Sequence, residues 1–402
     1  MPNTTNADTK AGTEPSPKTA IWNDPTFRAI TFQVLAGIAV VWFFWVIFDN
    51  TMTNMEKRGI TTGFAFLDNP AGFGILMSLI EYDEKYSYGR TFFVGLFNTL
   101  LVSFLGVIFA TTLGFLVGVA RLSNNWLISK IATIYVEVLR NIPLLLQIFF
   151  WYFAILLKNL PSPRQSMNWN DSVFLNARGL YAPSPVPHDG FFAVWIAFGI
   201  AVMVAVYIVR WAKKRQDEEG IQFPAIRTAA GIVIGLPLLT FFAMGMPMEL
   251  NYPELKGFNF QGGMRVIPEL MALTWALSLY TASFIAEIVR AGIQGVTHGQ
   301  TEAAHAMGLR NGPTLRLVVI PQAMRIIIPP LTSQYLNLVK NSSLATAIGY
   351  PDLVAVFMGT TLNQTGQAVE VVGMTMAVYL SISLVISSFM NWWNKKMALV
   401  ER

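Results

Sequence analysis

Cysteine is missing from all 402 residues, which excludes a disulfide framework, a thiolate nucleophile and a cysteine-ligated zinc site. Histidine is nearly missing: His188, His298 and His305 fall outside the apolar stretches and make no metal-ligand set, so no metal site is expected. Charge is scarce too, with Asp, Glu, Lys and Arg at 13% of the chain, against about 25% in soluble domains. No Gly-x4-Gly-Lys-[Ser/Thr] phosphate loop occurs, so the chain carries no sign of ATP binding of its own. The first 28 residues, rich in Thr, Asn, Pro and Ala, are expected to be a disordered tail; the first apolar run has no small-residue cleavage site after it.

What the chain has instead is apolar length. Hydrophobic residues make up 53% of it. Eight runs, near 29–48, 92–120, 131–157, 191–209, 229–246, 266–290, 325–344 and 370–392, are long enough to cross a hydrocarbon core of about 30 Å as helices. This predicts an all-α integral membrane protein with about eight transmembrane helices. An even number places both termini on one side. Counting Lys and Arg in the connections gives 17 on the side of the termini and 9 on the other, so the termini are expected in the cytoplasm. The net charge of +5 is accounted for by basic residues flanking spans, and no nucleic-acid partner is expected.

Between the sixth and seventh runs lies a polar island, TEAAHAMGLRNGPTLRLVVIP, at residues 301–321. Thr297 and Gln300 have capping-box spacing and predict a helix start, and Gly308 suits the left-handed position beyond a helix end. Gln300, Ala303, Ala304 and Met307 fall on one stripe of that helix. Asn311-Gly312-Pro313 predicts a second short helix, closed by Pro321. On its residues alone, the first helix either lies on its own membrane domain or offers two alanines and a methionine, framed by Glu302 and Arg310, to another body.

Glu302-Ala303-Ala304, then Gly308, then Val318-Val319-Ile320-Pro321 resemble the EAA-x3-G-x9-I-x-L-P loop of ABC importer permeases, with Val318 and Ile320 where Ile and Leu are usual. The segments YVEVLRNIPLLLQIFFWYF (135–153), YTASFIAEIVRAGI (280–293) and NLVKNSSLATAIGYPDL (337–353) resemble the polar amino-acid (His/Glu/Gln/Arg/opine) branch of that family, although Asn141 stands where many members have Gly. The chain's length and additional spans resemble the long permeases of general L-amino-acid importers.

The resemblance implies a five-helix type I importer core with an extra N-terminal span and an inserted helical pair. Its organisation would be a tail at 1–28, the extra span and an extracytoplasmic segment at 29–91, core at 92–157, the insertion at 158–265, and core at 266–402 containing the coupling loop 291–321. It also implies a bacterial inner-membrane location, an ABC ATPase dimer, a second homologous permease, a periplasmic binding protein and L-amino-acid substrates. ATP and Mg would belong to the ATPase, leaving this chain no cofactor and no catalytic residue. Glu302, Ala303, Ala304, Met307, Gly308 and Arg310 would carry the coupling to the ATPase.

Charges inside spans are costly and face the bundle interior or water. The candidates are the pairs Glu137 with Arg140 and Glu287 with Arg290, each three residues apart on a helix and read as neutralising one another, and Lys340. Taking Pro329-Pro330 as the start of the seventh helix puts Lys340 about 15 Å along it, near the membrane midplane. The polar run Lys340-Asn341-Ser342-Ser343 is therefore the candidate substrate path, or else an interhelical hydrogen-bond patch. Gly114-x3-Gly118 and Gly231-x3-Gly235 read as close-packing positions, and Pro143 should kink the third span. Residues 350–366 read as a sheetless extracytoplasmic cap over the pore. An ion-coupled secondary transporter would need mid-membrane acids and internal repeats, neither of which is visible.

Overall fold

A computed structural model describes residues 25–57, 59 and 62–397, so most of the expected tail at 1–28 lies outside the described residues. The chain divides into two compact units, Met1–Gly63 and Phe64–Arg402. The first is dominated by α1 (Pro25–Lys57), 33 residues with Phe32, Val41, Trp42, Phe44 and Trp45 exposed along it.

The second unit begins with a short 3-10 turn and then α2 (Tyr88–Ala120), the second expected span. The third span is broken more sharply than a kink. Here α3 (Trp126–Asn141) and the helix running Leu144–Leu157, made of α4 (Leu144–Phe149) and a π-helical continuation, meet at 107°. The cause is local: Pro143 cannot donate a backbone hydrogen bond and pushes Ile142 out of the helical region, to φ −96° and ψ 128°. Gln147 Nε2 repairs the break by donating to the Leu139 and Ile142 carbonyls at 2.9 and 3.0 Å. Asn125 starts α3 by accepting from the Leu127 and Ile128 amides.

The insertion departs from an all-helical reading. Four strands, β1 (Met167–Trp169), β2 (Val173–Asn176), β3 (Gly179–Ala182) and β4 (Ser184–Pro187), precede the hairpin of α5 (Phe191–Glu219) and α6 (Ala225–Ala243). Four more follow it: β5 (Met248–Asn251), β6 (Glu254–Lys256), β7 (Asn259–Gln261) and β8 (Met264–Val266). They pair across the insertion, β3 with β8 through Leu180 opposite Val266 and Ala182 opposite Met264, and β4 with β5 through Pro187 opposite Met248. Buried Tyr181 packs on Phe260 at 4.9 Å and donates its hydroxyl to Asn259 Oδ1.

The core is organised on α7 (Pro268–Gln294), most of whose residues from Pro268 to Gly292 are buried. A Cβ on Gly114 would stand 2.5 Å from Ile285, and one on Gly118 2.7 Å from Val289, so α2 runs parallel to α7 in close contact. Gly231 and Gly235 meet nothing within 4 Å, so the expected packing role of that pair is not found within this chain. Beyond α7 come α8 (His298–Ala306) and α9 (Asn311–Thr314), a π-helical turn at Leu315–Val319, and α10 (Ile320–Asn341).

Two expectations about this region are corrected. Pro321 does not close a short helix, because the preceding turn is widened to π and the helical path carries on from Asn311. Pro329 and Pro330 do not begin the span; they lie inside α10, a position membrane helices tolerate. Leu338 beside Gly106 and Ile327 beside Gly292 fix α10 as antiparallel to both α2 and α7.

The segment 350–366, expected as a sheetless cap, is mostly helical: a π segment at Val354–Thr361 and then α11 (Leu362–Thr365), leading into α12 (Ala368–Met397). It is held inward. Asn98 Nδ2 donates to the Met77 and Pro351 carbonyls, Tyr350 donates to the Asn98 carbonyl, and Thr99 Oγ1 accepts from the Leu353 amide. Asp352 is fully buried there and accepts from the Ala355 amide at 2.8 Å. Burial pushes its carboxyl up to about 7. Arg325 Nε donates to the Met397 carbonyl, so α12 runs antiparallel to α10. One end of the unit therefore gathers residues 64–87, the strands and 349–367, and the other gathers Arg121 and α8.

Candidate coupling surface and membrane-depth polar groups

α8 is stopped rigidly and started loosely. At its end the Gly308 amide donates to the His305 carbonyl at 2.8 Å and the Leu309 amide to the Ala304 carbonyl at 3.1 Å, with Gly308 at φ +83°. That is a Schellman closure, and the left-handed conformation explains glycine at this position. The expected capping box is not formed. Thr297 precedes the helix with extended backbone but its side chain makes no capping bond, and Gln300 Oε1 accepts from Gln322 Nε2 at 3.2 Å instead.

The stripe expected to face outward is split by this packing. Ala304 is 4% exposed, turned toward the chain's own helices, whereas Met307 is 82% exposed. Glu302, Ala303, Gly308 and Arg310 are exposed with Met307. Glu302 Oε1 lies 2.9 Å from His298 Nδ1 one turn earlier, and His305 Nδ1 lies 3.0 Å from the Leu309 carbonyl. The result is a short, firmly terminated helix with an acid, a small residue and an apolar tip on its free face. It has no reactive constellation.

Of the membrane charges, Glu287 is the hub. It accepts from Arg121, one residue past α2, and from Arg290 of its own helix, while Arg290 Nη1 reaches Gln294. The Glu287–Arg290 pairing is as expected; Arg121 was missed, because its partner is 166 residues away. The Glu137–Arg140 pairing is not found: no ion pair joins them among the described residues. Arg140 stacks over the Phe284 ring at 5.0 Å, and the Glu137 carbonyl accepts from Asn141 Nδ2.

The Lys340–Ser343 run is placed differently from the expectation. Lys340 is the penultimate residue of α10, roughly 30 Å from Ile320 at 1.5 Å per residue, at the far end of the regular helix rather than its middle. Ser342 is buried and donates to the Val339 carbonyl, and Ser343 donates to the Lys340 carbonyl, both at 2.7 Å, so these hydroxyls finish the helix. Asn341 is half-buried. Lys340 is exposed, and with Ile326, Pro330, Ser333 and Asn337 it completes an exposed stripe at alternating spacings of four and three along α10. The outer half of that stripe is polar, a pattern that periodicity in the sequence could have revealed once the helix was known to begin near Ile320.

Residues 225–399 match the family described as binding-protein-dependent transport system inner membrane component. Across 94% of this chain and 96% of the relative, the sequence is 58% identical to the putative amino-acid ABC transporter permease protein YhdX of Escherichia coli (strain K12). It is 53% identical to the general L-amino acid transport system permease protein AapQ of Rhizobium johnstonii, over 94% of each chain. It is 41% identical to the glutamate/glutamine/aspartate/asparagine transport system permease protein BztB of Rhodobacter capsulatus, over 94% of this chain and 96% of that one. With identity at this level running nearly the full length of its relatives, this helical membrane chain belongs to the inner-membrane components of binding-protein-dependent transport systems, the permeases of ABC transporters.

Proposed function

We propose that the chain is one of two permease subunits of an ATP-driven importer that carries L-amino acids from a periplasmic binding protein across the inner membrane. A separate ATPase dimer binds ATP and Mg and grips α8. The end of the bundle bearing α8 faces the cytoplasm, as both termini of the chain do; the strand-bearing end faces the binding protein. Closure of the ATPases displaces Glu302–Gly308, and the Schellman closure at Gly308 passes that movement to α10 without letting the helix fray.

The observation that carries this reading is the free face of α8, with Met307 four-fifths exposed beside Glu302 and Ala303. The polar stripe of α10 supports the second permease. Ser333, Asn337 and Lys340 on a membrane helix cannot rest against lipid tails, so they face a water-filled path shared with a partner subunit. Lys340, at the mouth of that path, attracts the substrate carboxylate.

The test is reconstitution of the whole complex in vesicles. Glu302→Lys, or Gly308→Val, which forces a β-branched residue into φ +83°, should leave ATP hydrolysis running while binding-protein-dependent uptake falls at least about tenfold, equivalent to about 1.4 kcal/mol of lost coupling. Lys340→Ala should lower uptake with hydrolysis retained. Uptake by the purified chain alone, driven by an ion gradient without ATP, would overturn the reading.

A further inference from the structure

The tip of the α5–α6 hairpin and the π turn ahead of α10 border an open pocket of about 630 Å³. Three cations line it from three separate segments: Lys213 near the end of α5, Arg227 in the first turn of α6, and Arg316 in the π turn. No acidic residue lines it. The acids at the end of α5 are engaged elsewhere, Glu218 with Lys214 at 3.7 Å and Glu219 with Arg215 at 2.7 Å, and Asp217 does not reach the cavity. Among the described residues, none of the three lining cations has an ion-pair partner. The remaining wall is mixed: Gln216 and Gln222 add neutral polar groups, while Phe223, Pro224 and Ile226 give one apolar side beside the cations, and Ile226 is 81% exposed.

Three unmatched cations converging beside apolar side chains, at the end of a membrane-spanning hairpin, describe a phosphate diester with a hydrocarbon tail attached. We propose that this cavity binds the headgroup of an anionic phospholipid, its phosphate held by Lys213, Arg227 and Arg316 and its acyl chains lying along Phe223 and Ile226. Basic pockets between membrane helices have the right charge and depth for such headgroups. The lipid then ties the inserted hairpin to the segment that joins α8 to α10, so the bilayer's anionic content bears on the coupling region. This placement rests on the reading that the α8 end is cytoplasmic, but the binding can be measured without any transport.

The experiment is lipid retention by the intact complex. After purification in a neutral detergent and exposure to mixed phosphatidylglycerol and phosphatidylcholine, retained lipids are counted by native mass spectrometry. The parent complex and the control Lys214→Gln/Arg215→Gln, which removes two cations of α5 outside the cavity, should both retain phosphatidylglycerol several-fold over phosphatidylcholine. Lys213→Gln/Arg227→Gln/Arg316→Gln should retain the two lipids equally. If the triple variant does not assemble, Arg316→Gln alone should show a partial loss. Unchanged preference in the cavity variants, equal loss in the control, or displacement of the bound species by millimolar inorganic phosphate, marking a free-anion site, would each overturn the proposal. Failure of ATP-driven uptake with lipid retention intact would instead count against the function proposed above.

Discussion

Arg121, one residue past the end of α2, donates its guanidinium to the carboxylate of Glu287 on α7. The contact joins the two most closely packed helices of the core at the end where α8 emerges, and Arg290 adds a second donor to the same carboxylate. The side chains are only 13%, 28% and 30% exposed in the order Arg121, Glu287, Arg290.

Removing that acceptor should therefore be costly. Glu287→Gln leaves two partly buried guanidinium groups sharing a neutral amide, and loss of charge-assisted hydrogen bonds of this kind costs about 2 kcal/mol. The apparent melting temperature of the solubilised complex should fall by several degrees, whereas Glu137→Gln, with no ion pair to lose, should leave it within about a degree. Equal effects from the two variants would count against Glu287 as the hub.

Close approach of helices makes a second distinction. A Cβ on Gly292 would lie 2.3 Å from Ile327 Cγ1, and Ile327 is buried in the seam between α7 and α10. Gly292→Ala should destabilise the fold by about 1–3 kcal/mol through overpacking, and adding Ile327→Val, which keeps the offending Cγ1, should not restore it. Gly231→Ala, facing open space within this chain, should leave the chain's own stability unchanged or slightly raised. Thermal unfolding of the three variants checks both statements.

A pH dependence follows from Asp352. Its carboxyl is pushed up to about 7 by burial, above the ordinary carboxylate value of 3.8. For a group raised in the folded state, the stabilisation is complete below the unfolded value and is lost as pH climbs through the folded one. The window thus runs from about pH 4 to about pH 7, with stability declining upward through it. Asp352→Asn keeps an acceptor for the Ala355 amide and cannot ionise, so its melting temperature should be flatter than the parent's between about pH 5 and 8. A variant as pH-dependent as the parent would remove Asp352 from the account.

Much of this architecture was legible in the sequence because hydrocarbon thickness imposes a length on apolar runs. The seven helices long and apolar enough to span, or eight with the bent pair counted as one, fall where those runs fall. The island helix was legible through Gly308, whose left-handed backbone is a local demand. What was not legible depends on distance along the chain or on small backbone adjustments. Leu180 pairs with Val266 through a ladder no local periodicity announces. The Asp352–Leu353 corner is buried by partners far away in sequence, Thr99 of α2 accepting from the Leu353 amide and Tyr379 of α12 donating to the Asp352 carboxylate. Pro321 looks like a helix stop and Pro329-Pro330 like a helix start, yet a widened turn and a membrane setting absorb them. Glu137 and Arg140 have ideal spacing for an ion pair, but Phe284 offers Arg140 a closer face.

The ladder of β3 with β8 has a consequence for how such a chain is put together. Ala182 and Met264 sit directly opposite one another, about 5 Å apart across an antiparallel pair. Everything between them, hairpin and lesser strands alike, leaves and re-enters the body through one doorway. A two-residue turn is enough to close it. A chain trimmed from 183 to 263 and sealed that way should still insert into the membrane, with Tyr181, which loses Phe260 and Asn259, as the one buried side chain of β3 left uncovered.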